Sequence, residues 1–288
     1  MVVFVHCSSV IAADEEKKWG VSPWLGVHRP DLKLLNEGAL KAPFFVAGDV
    51  VLPDDTTTTA VRILRNELPP INSGANAGVE FQLNLNERNA LLMGVGSWEG
   101  NTSGAVLGEF PLQGTVNDVI YSRDVDISYT DFFLGWKYRI LKKDKLRLST
   151  RLSLHELFDI DYRDQIVLLF LEGTAQGFKR ILIAKSQTTG VLMLQAGVSA
   201  DYFVVDWLSL GFDIGYEFGL DKFVPRDTQF DLDFRSGTDG VSLEPSSFNP
   251  PILSQGGNTQ YNSGNGVYKD LEIGFDGWKA ALRVTIFY

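Results

Sequence analysis

Cysteine is nearly absent from this 288-residue chain, and histidine occurs three times. One cysteine, Cys7, excludes an internal disulfide framework and any cysteine-based zinc spacing. No apolar run approaches the roughly 20 residues of a spanning helix. That absence leaves membrane crossing by strands untouched, because strand faces alternate and average out in hydropathy; the mean here is −0.01. Basic residues are outnumbered, 26 against 36, for a net charge of −10 and a pI near 4.8. Such a balance argues against a nucleic-acid partner, which needs a basic surface. There is no P-loop and no dinucleotide-binding glycine fingerprint, and no cofactor is expected.

What is present is period-two order. In the last eleven residues Trp278, Ala280, Leu282, Val284, Ile286 and Tyr288 share one strand face, and Lys279, Ala281, Arg283, Thr285 and Phe287 share the other. Ten residues at about 3.3 Å each, tilted about 40°, rise roughly 25 Å, the height of the apolar band of a membrane-spanning strand. Seven further windows alternate in the same way. Four are clear, with apolar faces at Leu208–Phe218, Leu146–Leu154, Leu192–Tyr202 and Ala77–Leu85. Three are weaker. Phe132 to Ile140 loses its parity upstream at Ile127 and Tyr129, which predicts a bulge or a protein-covered extension. Leu91, Met93 and Val95 alternate with Gly94 and Gly96. Trp19 to Val27 carries Pro23, tolerable only at a bulge or a ladder gap.

The connections set the topology. Asn86–Asn89, Lys142–Lys145 and Val204–Asp206 are short turns, while long segments lie at about 30–74, 100–123, 159–188 and 219–267. Short turns at one end and long loops at the other predict an all-β fold: a single closed antiparallel transmembrane β-barrel of eight strands, with ten or twelve as alternative counts. Two loops contain hairpin material, at Phe44–Leu52 with Ala60–Arg65 and at Ile166–Leu171 with Arg180–Ala184. Met1–Ala13 reads as the tail of a secretory signal, followed by a periplasmic stub at 14–18 and the barrel over 19–288.

By alternation, loop asymmetry and the terminal aromatic of Thr285-Ile286-Phe287-Tyr288, residues 19–288 resemble the small Gram-negative outer-membrane barrels: the OmpA membrane domain and the OmpX-like and OmpW-like proteins. No motif selects one family among them. The resemblance implies a cell outer-membrane location, contact with outer-membrane lipid and lipopolysaccharide, and a monomer. It also implies that Val284, Ile286 and Tyr288 serve as the signal for the barrel-assembly machinery.

The inward faces carry the candidate site. An eight-stranded lumen is filled by side chains, so its charges must pair. Aligning Trp207 with Tyr288 places Asp213 opposite Arg283 and Glu217 opposite Lys279. Lys137, Arg139, Arg147 and Arg151 point inward on neighbouring strands, and the structural expectation is cross-lumen pairing with Glu80, Asp201 or Asp213. The functional alternative is an anion-attracting constriction. Ser153, His155 and Glu156 are adjacent, but His155 and Glu156 fall on opposite faces of a regular strand, so they form no relay and no catalytic residue is assigned. Asp159-Ile160-Asp161-Tyr162-Arg163-Asp164 and Asp231-Leu232-Asp233 lack the glycine turn and closing glutamate of a calcium loop, and no metal site is expected. The reading is a structural or surface-interaction protein. The alternative is a narrow channel or lateral conduit for small or hydrophobic solutes, and the third reading is a lipid-modifying barrel enzyme.

Overall fold

A computed structural model describes residues 18–288 apart from 52–56, 65–66, 113–114, 173–175, 178, 189, 227–228, 236–246, 256 and 265. The proposed leader at 1–13, with Cys7, and most of the stub lie outside the described residues, as does part of the glycine- and proline-rich stretch of the last loop.

In chain order the strands are β1 (Trp19–Pro30), β2 (Phe44–Val51), β3 (Thr57–Leu64) and β4 (Gly74–Asn84). Next come β5 (Asn89–Leu112), β6 (Thr115–Lys143), β7 (Leu146–Phe170) and β8 (Lys179–Thr188). β9 (Val191–Val205), β10 (Leu208–Gly219), β11 (Gln229–Arg235) and β12 (Ser247–Asn249) follow. The last are β13 (Ile252–Gln255), β14 (Asn258–Asn262), β15 (Tyr268–Asp270) and β16 (Gly277–Phe287). A single five-residue helix, α1 (Lys33–Glu37), is found among the described residues.

Eight of these strands close into a ring in the order β1, β4, β5, β6, β7, β9, β10, β16, every neighbouring pair antiparallel. The first and last strands meet from Gly20↔Phe287 to Pro30↔Gly277, so the start of β1 and the end of β16 lie beside the short turns. The β1–β16 pairing skips Ser22 and Pro23. A residue without an N–H fits such a gap. At the turn end, Asn86 Oδ1 accepts the N–H groups of Arg88 and Asn89, each at 2.9 Å. Asp144 takes a φ of 44° between β6 and β7, a left-handed conformation that Asp tolerates.

In all eight ring strands the expected apolar faces point outward. Leu282 is 67% exposed, Leu25 65% and Leu210 51%. With Leu134, Leu152 and Val198 beside them, they form a belt far larger than a water-soluble surface sustains. Trp19, Trp136, Tyr202, Trp207 and Tyr288 lie at its turn end, and Trp278 and Phe218 at its loop end. Leu210→Arg is expected to cost about 2–4 kcal/mol of folding free energy, measured by urea titration in bilayers. A neutral result would mean this face does not meet lipid.

Beyond the belt the wall continues. Residues 100–112 and 115–123, read from the sequence as part of a loop, are strand: β5 and β6 pair from Gly100↔Ile127 to Leu112↔Thr115. Most of the segment at 159–188 is strand as well. Above the membrane neither face must be apolar to satisfy lipid, so the alternation that betrays spanning strands fades there.

Strand β7 forks. Up to Leu157 it pairs with β9, and from Ile160 it pairs with β8. At the fork its register against β6 shifts between Ser128↔Asp161 and Thr130↔Phe158, with Asp159 at a φ of 52°. This bulge changes the inward parity of β7 from odd to even residues. The bulge predicted from Ile127 and Tyr129 therefore displaces β7. Strand β6 keeps its parity from Asn117 to Arg139, and these two residues face inward because the interior there is apolar.

That interior is a plug over the mouth of the ring. Leu32, Leu35 and Leu40 descend from the α1 segment to meet Trp98, Tyr129, Leu157, Met193, Phe223, Ile273 and Phe275, all buried. The hairpin of β2 with β3, extended by β12, and the small sheet of β13, β14 and β15 belong to the same loop side of the molecule.

Candidate functional site

Below the plug the lumen is charged, and its ion pairs fall into two clusters. The lower one is centred on Arg283. Arg283 Nη2 donates to Asp201 Oδ1 at 2.5 Å, and Nη1 lies 3.2 Å from Glu80 Oε1 and 3.0 Å from Asp213 Oδ2. Arg151 contacts Glu80 and reaches Asp213 Oδ2 at 2.8 Å. Lys137 Nζ completes the set at 2.7 Å from Asp201 Oδ2. Three carboxylates thus face three cations, drawn from β4, β6, β7, β9, β10 and β16.

The register of the last hairpin differs from expectation by two residues. Arg283 lies opposite Gly211 and Lys279 opposite Gly215, while Asp213 lies opposite Ala281 and Glu217 opposite Gly277. The side chains nevertheless meet, diagonally, because long cationic stems lean across onto glycine. A Cβ at Gly211 would come within 2.7 Å of Arg283 Nε and 2.8 Å of Asp201 Oδ1. The small residue makes the space the guanidinium fills.

Arg139 and Arg147 sit closer to the turn end, Arg147 directly across the β7–β9 ladder from Asp201. Arg139 Nη1 donates to the Glu87 carbonyl, and the Arg147 guanidinium stacks 3.8 Å above the Phe203 ring. Phe203 in turn stacks on Phe287 at 5.4 Å, forming an aromatic floor to the lumen. Val284, Ile286 and Tyr288 point away from this interior.

The upper cluster contains the two histidines. Lys279 Nζ lies 3.2 Å from Asp131 Oδ2 and 3.0 Å from Glu217 Oε1. His155 Nδ1 is 2.9 Å from Asp131 Oδ1, and its Nε2 is 2.7 Å from Ser153 Oγ. Ser153 also donates to Gln195 Oε1 at 3.2 Å. His28 Nδ1 meets Tyr129 Oη at 2.7 Å, and His28 Nε2 faces Glu217 Oε2 at 3.4 Å. Ser153, His155 and Asp131 therefore stand in the order of nucleophile, base and orienting acid. Glu156 is exposed on the outer face, opposite His155, as the strand parity requires. Asp131, two residues before Phe133 on the inward parity of β6, was overlooked because the apolar inward residues above it obscured the pattern.

A third buried ion pair lies outside the membrane. In the wall extension Arg123 Nε and Nη2 donate to Asp164 Oδ1 and Oδ2 at 2.9 and 2.5 Å, and the Tyr162 hydroxyl donates to Oδ2 at 3.1 Å. Burial opposes the charge on Arg123, but the carboxylate and its hydrogen bonds outweigh it and hold the guanidinium above its usual pKa. Burial, with the Asp164 charge beside it, pushes the Tyr162 hydroxyl well above the ordinary phenol range. Asp164 thus serves Arg123. The side chains of Asp231 and Asp233 lie outside the described residues.

A closed eight-membered ring satisfies every ladder without an edge, and here it carries an apolar belt outside and paired charges inside. Only a lipid bilayer makes that inversion stable, and closed barrels of this kind belong to outer membranes. The chain is an outer-membrane β-barrel. No protein-family model and no curated protein sequence matches it. In structure it is similar to the outer membrane protein AlkL, at 10% identity over 100% of this chain and 97% of that one, with a TM-score of 0.34. It is also similar to the monoaromatic hydrocarbon channel CymD, at 10% identity over 95% and 89%, TM-score 0.33. A third is the outer membrane protease OmpT from Escherichia coli, at 9% identity over 93% and 97%, TM-score 0.29. At these scores the likeness says nothing about activity.

Proposed function

We propose that this barrel is a sealed membrane anchor for an extracellular β-rich head, acting as a structural or surface-interaction protein. The observation that carries the reading is the filled lumen. The cavity between Trp24, Phe133, Arg151 and Lys279 measures about 40 Å³, room for roughly one water molecule. The apolar plug lies above it and the Arg147–Phe203–Phe287 stack below. The head is built from the β5–β6 extension, β8, β11 and the two small sheets, so nearly all elaboration falls on one side of the membrane.

In this reading the short turns and both termini face the periplasm, and the long connections face outward. The barrel is a monomer surrounded by lipid and lipopolysaccharide. Val284, Ile286 and Tyr288, lipid-facing on the last strand, present the signal to the assembly machinery. The orientation is tested with single cysteines in the mature chain, which has none of its own. On intact cells a membrane-impermeant maleimide is expected to label Lys222→Cys and to spare Arg88→Cys. The reverse pattern would invert the protein and remove the head from the cell surface.

A lateral conduit finds one supporting feature. The outer wall has a concavity of about 300 Å³ over Ala75, Ala77, Ser97 and Thr130, rimmed by Glu99, Asp159 and Asp161. The β4–β5 and β5–β6 ladders behind it are unbroken, from Ala77↔Ser97 to Ser97↔Thr130, while at its Asp159–Asp161 rim the β6–β7 ladder is interrupted by the bulge. An enzyme reading rests on Ser153, whose hydroxyl is buried and engaged with Gln195; the small void beside His155 has no room for an acyl substrate.

A further inference from the structure

The two lumen clusters differ in their charge count. The lower has three carboxylates and three cations, all fixed. The upper has two carboxylates, Asp131 and Glu217, and only one permanent cation, Lys279. Every member is essentially closed to solvent. A net negative charge left at such a depth costs several kcal/mol, so the upper cluster calls for another cation.

The remaining donors indicate which kind. Glu217 Oε2 and His28 Nε2 are buried with no hydrogen-bond partner and face each other. His155 Nδ1 faces the same two carboxylates, 2.9 Å from Asp131 Oδ1 and 3.9 Å from Glu217 Oε1. One ligand atom from each of Asp131, His155 and Glu217 lies within 4.8 Å of the others. A tetrahedral ion with bonds of about 2.0–2.2 Å holds neighbouring donors about 3.3–3.6 Å apart, the middle of this range. The ligand imidazole is also braced from behind in the manner of metal ligands: Ser153 Oγ holds His155 Nε2.

We propose that the upper lumen is a site for a late first-row divalent metal ion of the Zn²⁺ class, liganded by His155 Nδ1, Asp131 and Glu217, with His28 Nε2 holding the far carboxylate oxygen of Glu217. Mixed imidazole and carboxylate donors suit such an ion. Lys279 is its internal competitor. Binding exchanges the Lys279 proton for the ion: the neutral amine turns from the carboxylates towards the Trp24 ring, whose centroid is 5.2 Å from Nζ, and two ligand carboxylates balance one dication.

The test uses the full mature chain folded in detergent with Co²⁺ or Zn²⁺ present, and then freed of loosely held metal. Fold is checked by the gel-mobility shift of the unheated barrel. The expected result is one equivalent of metal per chain, with the visible ligand-field bands of four-coordinate Co²⁺. Lys279→Met removes the competitor and should tighten binding. His155→Ala should abolish stoichiometric binding. Ser153→Ala, which removes only the hydroxyl brace, should weaken it about 10–100-fold. Folded wild type and folded Lys279→Met that both emerge without metal would overturn the site and identify the missing charge as a proton on a histidine.

Discussion

Arg283→Met is expected to lower the unfolding free energy of the barrel by about 3–5 kcal/mol, the usual consequence of removing one partner from a buried ion cluster. Arg283 touches Glu80, Asp201 and Asp213 from the centre of the lumen. Without it three buried carboxylates share Lys137 and Arg151. Methionine fills most of the volume, so the loss reports charge rather than a cavity. Arg283→Lys should recover only part of the stability, because a single ammonium cannot reproduce a fork that reaches three acids at once. Urea titration followed by gel mobility measures both variants. A cost under about 1 kcal/mol for Arg283→Met would fall outside that range and mean that the acids are satisfied by water entering the lumen.

Asp164→Ala should cost a comparable amount, about 3–5 kcal/mol, but locally. It strands the Arg123 guanidinium, which has no exposed surface. The pair sits in the wall extension, where β7 has left the ring to join β8. The expected outcome is loosening of the head with the ring intact: rapid limited proteolysis between about residues 160 and 190, alongside an unchanged mobility shift. Asp164→Asn, which keeps the shape and loses the charge, should fall between. Loss of the mobility shift in Asp164→Ala would show that head and ring unfold together.

The contrast between ring and head also explains what could be read from the sequence. In the ring, lipid on one side and charge on the other impose a strict period of two, and all eight outward faces were legible down to Trp19 and Tyr288. The same regularity made the register of β10 on β16 ambiguous, since a slip by two residues returns every side chain to its own face. Only the reach of Arg283 across Gly211 settles it. Strand content between 100 and 123 was not legible, because Asn101, Ser103 and Asp118 face water and carry no lipid signal. Asp131 was lost at the boundary where the interior of β6 changes from apolar to polar. The convergence of His28, Asp131, His155, Glu217 and Lys279 draws on five strands separated by up to 251 residues, 28 to 279, and no local spacing encodes it.

The claim on which the account rests is that the ring is sealed along its axis. Single-channel recording of the purified wild-type barrel in planar lipid bilayers addresses this directly. A quiet baseline at all applied potentials, with insertion verified independently by impermeant labelling of Lys222→Cys, is the result predicted here. Steady ohmic current with discrete unit steps would contradict it and turn the lumen charges into the lining of a channel.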